Sequence, residues 1–325
     1  MDHDDCGGRS ERFAAYITHL ASALGHGRRL EPLTSYCMGL LSPCERKSVE
    51  PMAALTAPRD TAAQHQRMLH FIGQGTWSDA AVMERVRAHA VPKITAQGAI
   101  SAWIIDDTGF PKKGTHSVGV ARQYCGQLGK QDNCQVAVSL SIANDHASFP
   151  VAYRLYLPKV WADDHERRAK VGVPAEIAFR TKPQIALEQM KWACEAGLPR
   201  GVVLADAGYG VDAAFRVGMT DLGLTYVAGI KSTTTVWAPG TAALAPPPRK
   251  RGRGRPAVRP VHDGENRPVS VEQLALSLPT SIWQTIGWRD GTNARLTGRF
   301  ARVRVRPAHE RDVETAKIAE EWLLI

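Results

Sequence analysis

The spacing of apolar residues changes character near residue 100, and that change splits the chain into parts that cannot share one architecture. Before it, Phe13, Tyr16, Ile17, Leu20, Ala21 and Leu24 recur at the interval of an amphipathic helix, as do Leu33, Tyr36, Cys37, Leu40 and Leu41. Residues 64–72 and 79–90 continue the pattern, with Ser78 placed as an N-cap. Glycines and prolines such as Gly25, Pro32, Pro43, Pro58 and Gly73 cut it into separate segments. Residues 1–98 are therefore expected to form a helical N-terminal domain.

Beyond the change, short apolar and alternating runs take over. "AWIID", from Ala102, is a buried strand. "CQVAVSLSIA" (134–143) alternates and is rich in β-branched residues, and "FPVAYRLYLP" (149–158) follows it across the turn "NDHAS" as a hairpin. "TKPQIALEQMKWACEAG" reads as a helix, with Pro183 in its first turn and Gly197 at its end. "GVVLADAGYG" is another buried strand that ends in an acid. A short helix capped by Asp212 and the strand "LTYVAGI" complete the segment. The order β-β-β-α-β-α-β over residues 99–236 is that of an α/β domain with a mixed sheet. Residues 237–265 are dominated by Pro, Gly, Ala and Arg and cannot build a core, so they read as a linker. From 266 to 325, "SIWQTIGWRDG", "LTGRFARVRVRP" and "EEWLLI" suggest a β-rich insertion.

Composition narrows the function classes. No apolar run approaches the roughly 20 residues needed to span a bilayer, so a membrane role is not expected. The opening "MDHDDCGGRSERF" is acidic and polar, unlike a secretory signal. Cys6, Cys37, Cys44, Cys125, Cys134 and Cys194 form no C-x-x-C pair, which argues for free thiols and against zinc. The net charge of +9 points to an anionic partner. The charge is also local: Arg249, Lys250, Arg251, Arg253, Arg255 and Arg259 fall in a stretch with no acid. Its "RGRP" core suits an A·T minor groove, where Gly permits close approach and Arg meets enhanced negative potential. The alternative is a solvated linker held open by like charges, which would still favour DNA through phosphate contacts.

Two strands end in acids, "WIIDDT" and "VVLADAG", with Asp106 and Asp206 lying 100 residues apart. If the two strands are neighbours joined by a crossover helix, their acids face each other. Carboxylates held that close repel unless a cation lies between them, and hard divalent ions prefer such oxygen donors. Two ions about 3.5–4 Å apart are the usual machinery of phosphodiester chemistry. Successive strand residues point to opposite faces, so only one of Asp106 and Asp107 can join Asp206. Asp106 is the first choice and Asp107 the alternative.

These segments resemble the DDE transposases of bacterial insertion sequences, and within them the IS-seven-hundred-one group of DDE superfamily endonucleases. The matching stretches are "WIIDDTGFPKKGTHSVGVARQYCGQLGKQDNCQVAVSLSIAND", "PVAYRLYLP" and "GVVLADAGYG", and the likeness runs from about Phe13 to Ile325. The resemblance implies an RNase H-like core. It implies catalytic, metal-holding aspartates at Asp106 (with Thr108 two residues on) and Asp206, and Mg²⁺ or Mn²⁺ as cofactor. It implies double-stranded DNA, as element ends and target, as partner. The place of action would be the cytoplasm, at the bacterial nucleoid; the oligomeric state stays open, a homo-oligomer being one option, and the N-terminal helices are a candidate DNA-binding region. Lys112 and Lys113 then either touch the DNA backbone near the scissile phosphate or form a solvated loop.

The family's third carboxylate, a Glu within a Y-x-x-R-x-x-x-E-type signature, has no match after Asp206: none of Glu265, Glu272, Glu310, Glu314, Glu320 and Glu321 has Tyr and Arg at the required spacings. The leading expectation is an insertion-sequence transposase that cuts and joins DNA by metal-dependent phosphodiester hydrolysis and transesterification, here C-terminally truncated and without the third acid; the alternative is a truncated, inactive chain that binds DNA or the full-length transposase. A haloacid-dehalogenase-type phosphatase also starts from an Asp after an apolar strand, but it needs D-x-D. The residues two after Asp106 and Asp107 are Thr108 and Gly109.

Overall fold

A computed structural model describes residues 3–241, 267–290, 292, 294–308 and 320–325. By internal contacts the chain forms two compact units, residues 1–205 with 214–227, and residues 206–213 with 228–325.

The first unit opens with helices α1 (His3–Ala21), α2 (Leu30–Leu41), α3 (Val49–Thr56), α4 (Thr61–Gly73) and α5 (Asp79–Gln97). Ile17, Leu20, Leu24, Leu33 and Phe71 form one small core, and Met52, Ala53 and Met68 form another. The second depends on Gly39: a Cβ there would stand 2.7 Å from Cβ of Met52, so only glycine lets α2 approach α3 this closely. Ser78 caps α5 by accepting the N–H of Ala81.

Strands β1 (Ala102–Pro111), β2 (Ala121–Cys125), β3 (Lys130–Ala143) and β4 (Ser148–Leu155) follow. Then come short helices α6 (Lys159–Ala162) and α7 (His165–Lys170), helix α8 (Lys182–Glu195), β5 (Val202–Ala205), α9 (Ala207–Gly210), α10 (Ala213–Asp221) and β6 (Tyr226–Ala228). The strands make a mixed sheet in the order β2-β3-β1-β5-β6, with β4 also paired to β3. β1 is antiparallel to β3 from Ala102↔Ala143 to Pro111↔Cys134, and parallel to β5 from Ala102↔Val202 to Ile105↔Ala205. The mixed α/β architecture agrees with the sequence.

Alternation decides which sheet face is covered. Trp103, Ile105, Val136, Val138, Leu140, Ile142 and Val203 are buried on one face. α8 meets β3 there, burying Ile185, Ala186, Gln189, Met190 and Ala193. Gln189 donates to the carbonyl of Val138 at 3.1 Å. α8 starts with a capping box between Thr181 and Gln184 and ends at Gly197, whose φ of 67° suits glycine. The hairpin between β3 and β4 is closed by Asn144, whose side chain accepts the N–H groups of His146 and Ala147.

The structure corrects two readings. β1 does not stop at Asp106 but runs on to Pro111, because β3 continues to pair with it. Residues 121–125 add a strand, β2, which the sequence conceals: its residues are mostly polar and only Cys125 is buried.

The second unit contains β7 (Thr235–Trp237), β8 (Val269–Ser270), α11 (Val271–Ser277), β9 (Gln284–Asp290), β10 (Arg295–Phe300), β11 (Arg302–Pro307) and β12 (Glu321–Leu324). β9 and β10 form a hairpin, and a second sheet runs β12-β11-β7-β8. Val236, Val271, Leu274, Val303, Val305 and Leu323 make its core. Among the described residues, no helix is long and apolar enough to cross a membrane.

Candidate functional site

The two adjacent acids of β1 have opposite fates because the strand alternates. Asp107 shares the covered face with Trp103 and Ile105. There its Oδ2 accepts a hydrogen bond from Nζ of Lys182 at 2.9 Å, with both side chains only about one-quarter exposed (25% and 28%). Lys182 is the first residue of α8 and stands 5.8 Å from the ring centroid of Tyr156. A cation at a helix N-terminus opposes the helix dipole, so the carboxylate beside it offsets an unfavourable placement. Asp107 is therefore committed to a partner inside the fold.

Asp106 lies on the other face, with Ile104 and Thr108, and is exposed. Its Oδ1 accepts the N–H of Asp107 at 2.7 Å, and its backbone carbonyl accepts the hydroxyl of Ser139 at 3.3 Å. Among the described residues its Oδ2 has no hydrogen-bond partner.

The parallel register of β1 with β5 ends at Ile105↔Ala205, and in each strand the next residue is an aspartate, Asp106 or Asp206. Within the second unit, Asp206 is the N-cap of the one-turn helix α9. Its Oδ1 accepts the N–H of Gly208 at 2.9 Å, and its carbonyl accepts from Tyr209 and Gly210. The turn is held by close backbone packing. A Cβ on Gly210 would sit 2.0 Å from the carbonyl oxygen of Gly229, and one on Gly229 would sit 2.9 Å from the amide nitrogen of Ala207. Gly210 of "ADAGYG" thus serves backbone approach. Asp206, too, keeps one carboxylate oxygen tied to the backbone, while Oδ2 has no partner among the described residues.

Both carboxylates are hard, exposed oxygen donors with one oxygen spare, which suits a divalent cation of the Mg²⁺ type. Asp107, held by an ammonium, does not offer such an oxygen equally well. Among the described residues there is no cluster of three His, Cys, Asp or Glu side chains that could hold a metal ion.

Lys112 and Lys113 are exposed in the turn after β1. Asn133 fixes that turn: its side-chain amide donates to the carbonyls of Lys112 and Gly114 at 2.7 and 2.8 Å. Arg249, Lys250, Arg251, Arg253 and Arg255 lie outside the described residues. Sequence reasoning missed Lys182. No spacing rule links residue 182 to residue 107, and the only hint is a lysine where a helix start prefers an acid. It also missed Arg168, which is 7% exposed and donates to the carbonyls of Ala162, Pro174, Ala175 and Ile177. Four backbone acceptors in place of an acid let one buried guanidinium shape the loop that leads into α8.

In the mixed sheet the parallel central strands β1 and β5 each run into an aspartate. The chain belongs to the DDE superfamily endonucleases, whose family pattern matches residues 19–295. It is similar to a protein of Microchaete diplosiphon named as a probable transposase for insertion sequence element IS701, with 30% identity over 206 residues, 63% of this chain. The chain spans about half (50%) the length of that relative.

Proposed function

We propose that the chain is the DNA-acting part of an insertion-sequence transposase, built on an RNase H-like core in which Asp106 and Asp206 hold the catalytic metal. The observation that carries this reading is the β1–β5 register, which stops one residue short of an aspartate in both strands. The strand order β4-β3-β1-β5-β6, with β1 antiparallel to β3 and parallel to β5, supports the RNase H-like assignment.

A bound Mg²⁺ or Mn²⁺ supplies an activated water and charge stabilisation at the leaving oxygen of a phosphodiester. The protein's own contribution is positional. Asp106 is fixed by the β1–β3 ladder below it and by the Asp107 N–H. Asp206 is fixed by the Gly208 N–H and the Gly210–Gly229 contact. Lys182 holds Asp107 on the far face, so one acid of the pair is directed to the open side. Lys112 and Lys113 follow β1 in a turn pinned by Asn133 and would meet DNA phosphates.

The test does not require turnover. Fe²⁺ in place of Mg²⁺, with ascorbate and peroxide, cuts the polypeptide beside the bound ion. Cuts near residues 106 and 206, suppressed by excess Mg²⁺ and lost in Asp106→Asn, are expected. Cuts at only one of the two aspartates would refute a shared site. The second reading is a chain that binds DNA, or the full-length transposase, without cleaving. Nicking of plasmid DNA in Mn²⁺ that disappears in Asp206→Ala would exclude it.

A further inference from the structure

The second unit carries an exposed face that the aspartate site does not use. In β11, Val303, Val305 and Pro307 are buried, while Arg302 and Arg304 are exposed and Arg306 is partly so. β12 repeats the alternation: Leu323 is buried, and Trp322 and Leu324 are 58% and 59% exposed. The antiparallel register sets Arg304 opposite Trp322 and Arg302 opposite Leu324. The guanidinium carbons of Arg302 and Arg304 stand 4.6 and 5.1 Å from the centre of the Trp322 ring. Glu320 reaches Arg304 at 3.5 Å and Arg306 at 3.4 Å. One carboxylate thus meets two guanidiniums, and among the described residues the face, with Arg302 as well, keeps an excess of positive charge.

The core does not require this arrangement. The apolar side of the sheet is already filled by Val303, Val305 and Leu323. An exposed indole shared by two arginines does have a consequence for binding. Each guanidinium is attracted to the ring and restrained there, while its N–H edge stays available to an oxyanion. Residues two apart on a strand lie roughly 6.6–6.8 Å apart, so Arg302 and Arg304 form a fixed pair rather than two roaming charges. Less side-chain freedom is then lost on binding.

We propose that the outer face of β11 and β12 is a docking surface for the phosphate backbone of duplex DNA. Arg302 and Arg304 are the phosphate contacts, and Trp322 is the plate that holds them in place. The proposal rests on the reading of the chain as DNA-acting and extends it to a surface that recognises backbone, not base sequence. Charge selects the occupant: a flat strand face with surplus guanidiniums fits a regular polyanion.

Binding of the full chain to a fluorescent duplex, measured across a salt series, tests it. Arg302→Gln with Arg304→Gln should weaken binding on the order of ten-fold and lower the slope of log K against log salt by about two units, one per lost phosphate. Arg302→Lys with Arg304→Lys keeps the charge and should keep the slope while weakening binding several-fold, as should Trp322→Ala. If the glutamine pair melts early, the lysine pair and Trp322→Ala carry the test, and unchanged affinity in both overturns the proposal. A stably folded glutamine pair with wild-type affinity and slope also overturns it. So does a glutamine pair that binds DNA normally but loses self-association, which would make the face a contact between copies. Failure of the unmutated chain to bind duplex DNA at low salt would refute the DNA reading itself.

Discussion

Replacing Asp107 and Asp106 by asparagine, one at a time, separates a structural acid from the one proposed to hold a metal. At 2.9 Å, two unit charges attract by roughly 5–6 kcal/mol at an effective dielectric of about 20. Desolvation of two groups that are about three-quarters buried offsets much of this. The cost of Asp107→Asn should therefore be about 1–3 kcal/mol, typical of a charge-assisted hydrogen bond whose partner stays behind. The stranded Lys182 ammonium at the start of α8 adds to it through the helix dipole. At about 2–4 °C per kcal/mol for a chain portion of this size, the melting temperature should fall by roughly 2–12 °C. Asp106→Asn is different. The side chain is exposed, and the hydrogen bond from the Asp107 N–H can be made equally to an amide oxygen, so stability should change by less than about 0.5 kcal/mol. Added Mg²⁺ reverses the order. A cation at ten times its dissociation constant stabilises by about 1.4 kcal/mol. That gain should persist in Asp107→Asn and vanish in Asp106→Asn. Differential scanning calorimetry with and without Mg²⁺ measures both effects. The reasoning fails if Asp106→Asn destabilises the metal-free protein as much as Asp107→Asn, or if Asp107→Asn is the variant that loses the Mg²⁺ response.

Other positions give sharp expectations. Arg168→Met keeps apolar volume but removes the donors to four carbonyls; it should cost about 2–4 kcal/mol and expose residues 171–181 to limited proteolysis. Gly210→Ala would push a methyl against the Gly229 carbonyl, so thermal denaturation should show a loss of at least 2 kcal/mol, about what overpacking costs, whereas Gly114→Ala, with nothing within 4 Å, should be neutral. Burial pushes the Cys134 thiol up to about 11 from an ordinary value of 9.0. The unfolded chain therefore loses this proton first as pH rises, so stability should fall between roughly pH 9 and 11 in urea titrations, a fall that should be absent in Cys134→Ser. At neutral pH the native Cys134 should resist alkylation while Cys44 and Cys194, which are partly exposed, react.

The sequence was legible where one local cause dominates. Helix α8 could be read in full because its stop and start signals, Thr181, Pro183, Gln184 and Gly197, act within a few residues of one another. The hairpin through Asn144 could be read for the same reason. β2 could not, since its residues are set by pairing with 130–134 and not by burial of their own side chains. The site divides along the same line. That only one of two adjacent strand residues can face a given side follows from alternation alone, and so was available beforehand. Which of the two carries a partner depends on Lys182, which the fold brings 75 residues back along the chain. The ammonium also explains why two acids stand together at all. An open-faced carboxylate at Asp106 needs the strand beneath it to hold one register, since a slip by one residue would turn it to the covered face. Asp107, anchored to α8, penalises the slip that would bring Thr108 to the covered face, since Lys182 would then face a hydroxyl in place of a carboxylate. The second acid thus helps hold the register that keeps the first on the open face.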